Sequence, residues 1–411
     1  MFFLEEIKAD RKLYLTGKIS AFVTNSSKWT CITSFYIAFI ISLICSQPVY
    51  AQLKNGFPAP SNVPNREYPY IHSDGKVTFR VKAPLAKNVQ VVGLDPKNPF
   101  GEKPTNLTRS EDGLWMVTIP INSGFHYYQL IIDGTPVNDP ASKTYSGWGK
   151  ATSGLEVPDP KVDFYNPKVL PHGEVRQRWY HSQVTGKLRR VFVYTPPDYN
   201  ANIKRKYPVL YLQHGAGESE QAWTQQGKAN FILDNLINTG KAVPMIIVMD
   251  NGYARKPGVK LPPDSWGNEA FPEVVMKDLI PLIDSQYRTI AHRNSRAIAG
   301  LSMGGGQALE VGLNNLDKFS WVGGFSSLLK DFNLDTSYNG VFRDPALANL
   351  KLKLFWLGCG TQDNFYSTHQ EIHKKLEKVG VRHIWFPTKG GHEWLVWRRY
   401  LQEFTSILFR H

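Results

Sequence analysis

From about residue 172 onwards, apolar runs of strand length alternate with amphipathic segments of helical length. Strands are predicted at residues 209–213, 245–249, 297–300, 352–357 and 383–386. Helices are predicted between and after them at residues 229–238, 271–284, 305–313 and 369–379. Strands that alternate with helices at this spacing form a mostly parallel sheet covered on both faces. A hairpin, residues 175–182 and 188–194, precedes this alternation.

The part of the chain before residue 158 contains short alternating runs and no convincing helix. Its predicted strands are residues 76–81, 89–92, 114–119 and 125–132, separated by turn signals such as Ser73-Asp74-Gly75. This pattern predicts a small immunoglobulin-like β-sandwich. The predicted organisation has residues 1–51 as a leader, 52–66 as a linker, 67–158 as the sandwich, 159–171 as a second linker, and 172–411 as the α/β domain.

The leader has the pattern of a secretory signal. Residues 31–45 carry no charge and are mostly apolar, and Val49 and Ala51 are small residues suited to cleavage before Gln52. The apolar stretch is shorter than the roughly 20 residues of a membrane span. We therefore expect a secreted or periplasmic protein with no membrane contact beyond the export signal. An uncleaved anchor and a translation start further along the chain are the alternatives.

Cysteine content and charge exclude several classes of site. Two of the three cysteines, Cys31 and Cys45, lie in the leader, so the mature protein would keep only Cys359. One cysteine permits neither an intramolecular disulfide nor a cysteine metal site. The formal net charge is +13, but the chain has no run of five basic residues and no zinc-finger or RNA-binding signature. A solvated basic surface is therefore expected, without a nucleic-acid partner.

Gly300-Leu301-Ser302-Met303-Gly304 follows an apolar strand and precedes a helix start rich in small residues. A serine hydroxyl is a poor nucleophile unless it is exposed beside a base and an anion site. Glycines two residues before and after the serine permit the tight strand-to-helix turn that lifts a nucleophile above a sheet. The pattern therefore predicts Ser302 as a catalytic nucleophile.

A base and an acid for Ser302 are predicted later in the chain. His392 follows a strand in a loop that begins with two glycines, and Asp363 follows the strand before it. The order Ser302, Asp363, His392 is that of α/β-hydrolases. The alternatives for the base are His369, His373 and His383, and those for the acid are Asp331, Asp335 and Asp344.

An oxyanion hole requires backbone N–H groups aimed at the developing negative charge. One predicted donor is Met303, the residue after the nucleophile. The other is expected in the loop His214-Gly215-Ala216-Gly217, which follows an early apolar strand. Ala216 is the preferred donor in this loop and Gly215 the second choice. Neither a metal nor a cofactor is required for this chemistry.

Several longer stretches carry a resemblance to a known family. They are His214-Gly215-Ala216-Gly217 with Trp223, residues 229–237, residues 296–305, and Gly391-His392-Glu393-Trp394 with Trp397-Arg398. On these motifs, residues 172–410 resemble carbohydrate esterase family 1, the feruloyl and acetylxylan esterases within the esterase D-like α/β-hydrolases. The N-terminal part resembles a family-48 carbohydrate-binding module through residues 124–128, 137–143 and 147–149.

The resemblance implies the substrate and assigns the site. The family's nucleophile, acid and base map onto Ser302, Asp363 and His392, and its oxyanion donors map onto Met303 and the loop around Ala216. It implies hydrolysis of esters on plant cell-wall polysaccharide, foremost feruloylated xylan. Acetylxylan esterase and siderophore (enterobactin-type) esterase are the enzymatic alternatives, and a carbohydrate-binding protein with an inactive esterase domain is the non-enzymatic one. The sequence does not define an oligomeric state.

Aromatic residues near the motifs are candidates for an acyl pocket, and two or three of them are expected to touch substrate. They are Trp223, Tyr253, Trp266, Phe365, Tyr366 and Trp394. Asp250 stands where relatives of the family commonly have proline, and it is predicted at the rim of the pocket. In the N-terminal part, Trp115 and Trp148 are candidates either for stacking on sugar or for packing in the core.

Overall fold

Two antiparallel sheets make up the N-terminal part of the computed structural model, which describes residues 56–95, 100, 103–260, 265, 267–329 and 331–410. The predicted leader lies outside these residues. The strands are β1 (Phe57–Pro58), β2 (Tyr70–Ile71), β3 (Lys76–Lys82), β4 (Val89–Gly93), β5 (Thr105–Asn106), β6 (Thr108–Arg109), β7 (Leu114–Pro120), β8 (Gly124–Ile132), β9 (Thr135–Val137), β10 (Thr144–Gly147) and β11 (Lys150–Val157).

The two N-terminal sheets enclose one hydrophobic core. The first has the order β1-β2-β3-β7-β6, and the second has the order β10-β11-β8-β4-β5 with β9 paired to β8. Phe79 and Trp115 from the first sheet pack in the same cluster as Tyr128 and Leu130 from the second. Trp115 is therefore a core residue, and its indole donates to the Ala83 carbonyl at 2.9 Å. The immunoglobulin-like assignment stays a prediction.

The C-terminal part is built on an eight-stranded sheet with the order β12-β13-β15-β14-β16-β17-β18-β19. These strands are β12 (Glu174–Ser182), β13 (Lys187–Thr195), β14 (Val209–Gln213), β15 (Ile246–Asp250), β16 (Arg296–Leu301), β17 (Trp321–Phe325), β18 (Leu354–Gly360) and β19 (Ile384–Thr388). The pairs from β14 to β19 are parallel, whereas the β12–β13 hairpin is antiparallel to its neighbours. The predicted mostly parallel sheet is confirmed.

Helices cover both faces of this sheet. They are α1 (Ala229–Asn238), α2 (Phe271–Glu273), α3 (Ile280–Gln286), α4 (Ser302–Asn314), α5 (Pro345–Lys351), α6 (Tyr366–Lys378) and α7 (Trp394–Ile407). Because side chains alternate along a strand, β14 sends Val209 and Tyr211 into one core and Leu210 and Leu212 into the other. Among the described residues, none of the helices combines the length and apolar character that a bilayer span requires.

Several elements differ from the sequence prediction, among them one helix and two strands. The helix predicted over residues 271–284 is divided by a π-helical stretch, Val274–Leu279, between α2 and α3. β17 was not predicted because its two glycines weaken the strand pattern. β11 was not predicted either, because its first residues are small or polar rather than alternating.

The strand order places a binding crevice at one edge of the sheet. The chain runs from β14 to β15 on one side and then returns to β16 on the other side of β14. Ligands bind at such a reversal, outside the carboxyl ends of the strands. Here Gln213, at the end of β14, pairs with Gly300 near the end of β16. The His214 loop and Ser302 therefore begin side by side.

The N-terminal sheets pack directly against the core of the C-terminal part. Phe125 and Tyr127 of β8 belong to the same buried cluster as Trp394 and Trp397 of α7. Arg398 also makes a buried bidentate ion pair with Glu156 of β11. Its Nη1 and Nη2 donate to Oε1 and Oε2 at 2.8 and 2.7 Å. Burial would raise the pKa of Glu156, but the charge and hydrogen bonds of Arg398 and smaller contributions from Lys228 and His126 together outweigh it and lower that pKa. The two parts are therefore joined by apolar packing and by charge.

Replacing Glu156 by alanine is expected to lower the free energy of unfolding by about 3–5 kcal/mol, because Arg398 would keep a buried charge without its partner. Urea-induced unfolding of the full chain measures this loss. The control is Glu67→Ala, which removes an exposed partner of Arg80 at 3.9 Å and should cost less than about 1 kcal/mol. Equal losses for the two variants would contradict the expectation.

Candidate active site

Ser302 lies at a strained bend between β16 and α4. Its φ of 52° is in the left-handed region, which costs a residue other than glycine about 1–3 kcal/mol. Close packing explains the flanking glycines, since a Cβ on Gly300 would collide with the Gly304 backbone and one on Gly304 with the His214 carbonyl. The surrounding fold therefore holds the serine in a conformation that it would not adopt alone.

Consecutive hydrogen bonds link Ser302 to His392 and His392 to Asp363. His392 Nε2 lies 3.0 Å from Ser302 Oγ, and His392 Nδ1 lies 2.8 Å from Asp363 Oδ2. Burial alone would raise the pKa of Asp363, but the hydrogen bond and charge of His392 outweigh it and lower that pKa. The Phe365 amide donates to the other carboxylate oxygen at 2.9 Å. An ionised, fixed Asp363 can orient the imidazole and stabilise its protonated form.

The alternative bases and acids are engaged elsewhere. His369 accepts from the Ser327 amide at 3.0 Å, and burial lowers its pKa to about 4. His373 and His383 contact each other at 2.8 Å. Of the alternative acids, Asp344 caps α5 by accepting from the Leu347 amide at 2.9 Å. Asp331 and Asp335 are exposed, and neither makes a hydrogen bond to His392 within the described part of the chain.

The predicted oxyanion donors meet beside the serine, with one correction. Met303 lies in the first turn of α4, where backbone N–H groups have no intrahelical acceptor. The Ala216 amide has no acceptor within the described ranges. Gly215 is wrong as a donor, because its amide already donates to Glu218 Oε2 at 3.0 Å. Met303 and Ala216 therefore stay the predicted oxyanion donors.

His214 holds the oxyanion loop rather than taking part in proton transfer. Its Nε2 accepts from the Gly252 amide at 2.9 Å, and its Nδ1 lies 2.8 Å from the Gly215 carbonyl. Burial lowers its pKa, which keeps the ring neutral. The neutral ring ties the loop after β14 to the loop after β15.

A cavity of about 230 Å³ opens at Ser302. Its aromatic lining is Phe125, Tyr127, Trp148, Phe365, Trp394 and Trp397. Its other side chains include the acids Asp95, Glu218 and Glu393. Asp95, Phe125, Tyr127 and Trp148 come from the N-terminal sheets and their loops. The sequence makes Trp148 a candidate for stacking on sugar or for core packing. No local pattern identifies Asp95, Phe125 or Tyr127 as site residues, since they reach the site only through packing between distant parts of the chain.

Of the pocket residues proposed from the sequence, Trp394 and Phe365 line the cavity. Trp223 does not: it is buried beneath Trp394, with ring centroids 5.2 Å apart, and donates to the Gln213 carbonyl. Tyr366 instead packs against Trp385.

The remaining proposed pocket residues lie elsewhere. Asp250 is fully buried in an ion pair with Arg189 at 2.8 Å and does not reach the rim. Tyr253 lines a neighbouring open groove of about 970 Å³. Trp266 lies outside the described residues.

Two acids in the cavity have pKa values near neutral pH. Burial raises the pKa of Asp95 and that of Glu218 to about 7 each. The negative charges reinforce one another, since Asp95 adds to the shift of Glu218 and Glu393 adds to that of Asp95. Perturbed carboxyls in a cleft are typical of functional sites.

Asp95→Asn is expected to stabilise the protein at pH 8 and to change little at pH 4. The folded-state pKa lies above the unfolded value of 3.8, so stability is lost as pH rises from about 4 to 7. An asparagine at this position would not ionise and would escape this loss. We expect a gain of about 1–2 kcal/mol at pH 8, reduced from the full shift because the side chain keeps some solvent contact. Urea unfolding at both pH values measures it; an equal difference at both would contradict the expectation.

A strained serine, an imidazole, a carboxylate and two amide donors at the crevice of such a sheet define a serine hydrolase of the α/β-hydrolase fold. The Esterase family model matches residues 182–405, which include all of these groups. The chain therefore belongs to the Esterase family.

Comparisons with individual proteins show which esterases this chain is similar to. An endo-1,4-beta-xylanase/feruloyl esterase of Xylanibacter ruminicola is 38% identical over 363 residues, which is 86% of this chain and 47% of the relative. The chain thus spans less than half the length of that protein. A solved CE1 ferulic acid esterase from Anaeromyces mucronatus, with ferulic acid bound, is 26% identical with a TM-score of 0.54 over 60% of this chain and 96% of that one.

A further structure shares the fold over a longer part of the chain. The enterobactin esterase of Shigella flexneri has a TM-score of 0.60 over 81% of this chain and 92% of that one, at 19% identity. This likeness concerns the fold alone. Because the match exceeds the hydrolase part, it extends into the N-terminal sheets.

Proposed function

We propose that this chain is a feruloyl esterase that releases ferulic acid from xylan. The observation that carries the proposal is the aromatic-walled cavity that opens at Ser302. Flat side chains favour a planar aromatic acyl group through stacked and edge-to-face contacts. The names of the relatives from Xylanibacter ruminicola and Anaeromyces mucronatus support the same substrate class.

The reaction proceeds in two steps through an acyl-enzyme. His392 takes the proton of Ser302, and Oγ attacks the ester carbonyl, whose oxygen becomes negatively charged. The amides of Met303 and Ala216 stabilise that charge. The protonated imidazole then gives its proton to the leaving sugar hydroxyl as the C–O bond breaks. Water, deprotonated by His392, attacks the acyl-enzyme and releases the free acid.

The cavity distinguishes a feruloyl group from an acetyl group. An acetyl group would leave most of the aromatic wall without contact, whereas a feruloyl ring would bury on the order of 100 Å² of apolar surface. At about 25 cal/mol per Å² this burial is worth about 2.5 kcal/mol, or about 70-fold in kcat/KM.

The experiment compares kcat/KM for methyl ferulate and methyl acetate, together with the acids released from feruloylated and acetylated xylan. We expect methyl ferulate to be favoured by about 70-fold. Acetate release without ferulate release would assign the enzyme to acetylxylan instead.

The acids in the cavity argue against an iron-loaded siderophore as substrate. Above about pH 7, where Asp95 and Glu218 lose their protons, these two side chains would repel the multiple negative charges of a ferric catecholate. A neutral phenol, in contrast, can donate a hydrogen bond to a carboxyl oxygen. Turnover of a catecholate triester without turnover of methyl ferulate would favour the siderophore esterase.

The polysaccharide portion of the substrate is proposed to occupy the open groove beside the cavity. Glu218 lines both spaces, and Trp179 in the groove is 56% exposed. Exposed Trp148 contributes to the cavity wall from the N-terminal sheets, so these sheets are proposed to contact glycan near the reacting ester. We propose in addition that residues 1–51 direct export.

A further inference from the structure

Tyr127, a residue of the N-terminal sheets, is linked to the oxyanion loop by two hydrogen bonds. Its hydroxyl donates to Glu218 Oε1 at 2.9 Å. The other oxygen of the same carboxylate accepts from the Gly215 amide at 3.0 Å. Gly215 directly precedes Ala216, whose amide is one of the two oxyanion donors. β8 is thus connected to the oxyanion site through a single side chain.

The direction of the Tyr127 hydroxyl is fixed by its other partners. Gln226 Nε2 donates to this oxygen at 2.6 Å, and Trp394 Nε1 donates to it at 3.3 Å. With two donors pointing at the oxygen, the hydroxyl proton is left for an acceptor, and Glu218 Oε1 at 2.9 Å is nearer than the Ser146 carbonyl at 3.4 Å. Tyr127, Glu218, Gln226 and Trp394 are all buried, so water does not compete for these bonds.

The remainder of the loop is held from both parts of the chain, by Gly149 of the N-terminal sheets and by Tyr253, which follows β15. The Gly149 amide donates to the Gly217 carbonyl at 2.9 Å, and the Gly217 amide donates to the Tyr253 hydroxyl at 2.6 Å. The loop also lies against the nucleophile, because a Cβ on Gly215 would come within 3.5 Å of Ser302 Cβ. A small movement of this loop would therefore move an oxyanion donor relative to the reacting carbonyl.

The buried carboxyl of Glu218 is electrostatically unfavourable beside an oxyanion site. Its hydrogen bonds explain why this position nevertheless holds a carboxyl group. A buried carboxyl beside an oxyanion site opposes the charge that forms there, and burial raises its own pKa to about 7. An apolar side chain would avoid that cost but would leave the Gly215 amide without its acceptor and the Tyr127 hydroxyl with only the more distant Ser146 carbonyl.

We propose that Tyr127 is a positioning residue for ester hydrolysis: through Glu218 it holds Gly215–Ala216 so that the Ala216 amide points at the developing oxyanion. The N-terminal sheets then contribute to the chemical step itself and not only to the capture of polysaccharide. The inference rests on the proposed serine mechanism, but it is independent of which acyl group the enzyme prefers.

The chain offers a matched control on the same strand. Tyr128 donates to the buried carboxylate of Asp139 at 2.8 Å, within the core of the N-terminal sheets. Tyr127→Phe and Tyr128→Phe therefore each remove one buried tyrosine hydroxyl that is bonded to a carboxylate. Only the first variant breaks the connection to the oxyanion loop.

The test measures kcat and KM of the full chain on p-nitrophenyl acetate, whose small acyl group requires neither the aromatic wall nor glycan binding. We expect Tyr127→Phe to lower kcat by about 30-fold, with KM changed by less than about twofold, because displacement of a catalytic group acts mainly on the transition state. Tyr128→Phe should keep kcat within about twofold of wild type. Thermal unfolding shows whether both variants are folded. Equal kcat values for the two variants would overturn the proposal.

A second comparison tests whether Tyr127 acts through Glu218. If Tyr127 acts through Glu218, the double variant Tyr127→Phe/Glu218→Gln should be no slower than Glu218→Gln alone. Independent, multiplying losses would overturn the connection. A failure of the serine mechanism looks different, since Ser302→Ala would then retain wild-type activity on the same ester.

Discussion

Ser302→Ala is expected to lower kcat on methyl ferulate by about 10⁴–10⁶-fold, the largest effect of any single substitution. Without the hydroxyl no acyl-enzyme forms, and only the oxyanion donors and binding contacts remain to assist attack by water. KM should change little, because the aromatic wall and the groove are untouched. Steady-state release of ferulate, followed by chromatography, measures the loss.

The control for Ser302→Ala is Ser327→Ala. Ser327 is also buried and follows a strand of the same sheet, and its side chain packs beside Gly305 and Gly324 rather than facing the cavity. It should keep kcat within about threefold of wild type. A Ser302→Ala protein that is folded and retains a tenth of wild-type activity would contradict the nucleophile assignment.

Asp363→Asn is expected to lower kcat by about 10⁴-fold near neutral pH while the protein stays folded. An amide cannot stabilise the imidazolium that forms as His392 accepts the proton. It can also present an N–H to His392 Nδ1, which would leave the proton on Nε2 and remove the acceptor that Ser302 requires. The kcat on methyl ferulate between pH 6 and pH 8 measures the effect.

Asp344→Asn is a suitable control for that substitution. Asp344 lies between Ser302 and His392 in the sequence and accepts from the Leu347 amide at the start of α5. Asparagine is an equally good N-cap, so neither activity nor stability should change appreciably. If Asp363→Asn retained most of its activity, another carboxylate would have to orient His392.

The sequence predicted the fold and the reacting groups because both depend on local patterns. The bend at Ser302 requires small residues at Gly300 and Gly304, and those residues are visible without a structure. Asp363 and His392 each follow a predicted strand, and parallel strands bring such positions to one edge of the sheet. The structure places these three side chains in hydrogen-bond contact.

The pocket could not be predicted in the same way. Asp250 ends a fully buried strand, so its surroundings depend on the partner Arg189 supplied by β13. Trp223 and Trp394 both stand beside recognisable motifs, yet one lies beneath the other and only Trp394 reaches the cavity. The contribution of Tyr127 depends on contacts with residues more than 90 positions away, which no local pattern encodes.

Covalent trapping of the nucleophile tests the central claim most directly. The full chain is treated with diethyl p-nitrophenyl phosphate, which phosphorylates activated serines, and the digested protein is analysed by mass spectrometry. We predict one diethylphosphoryl group per chain, on the peptide that contains Ser302, and a strongly reduced rate of labelling in His392→Ala. Labelling at a different residue, or equal labelling of wild type and His392→Ala, would contradict the account.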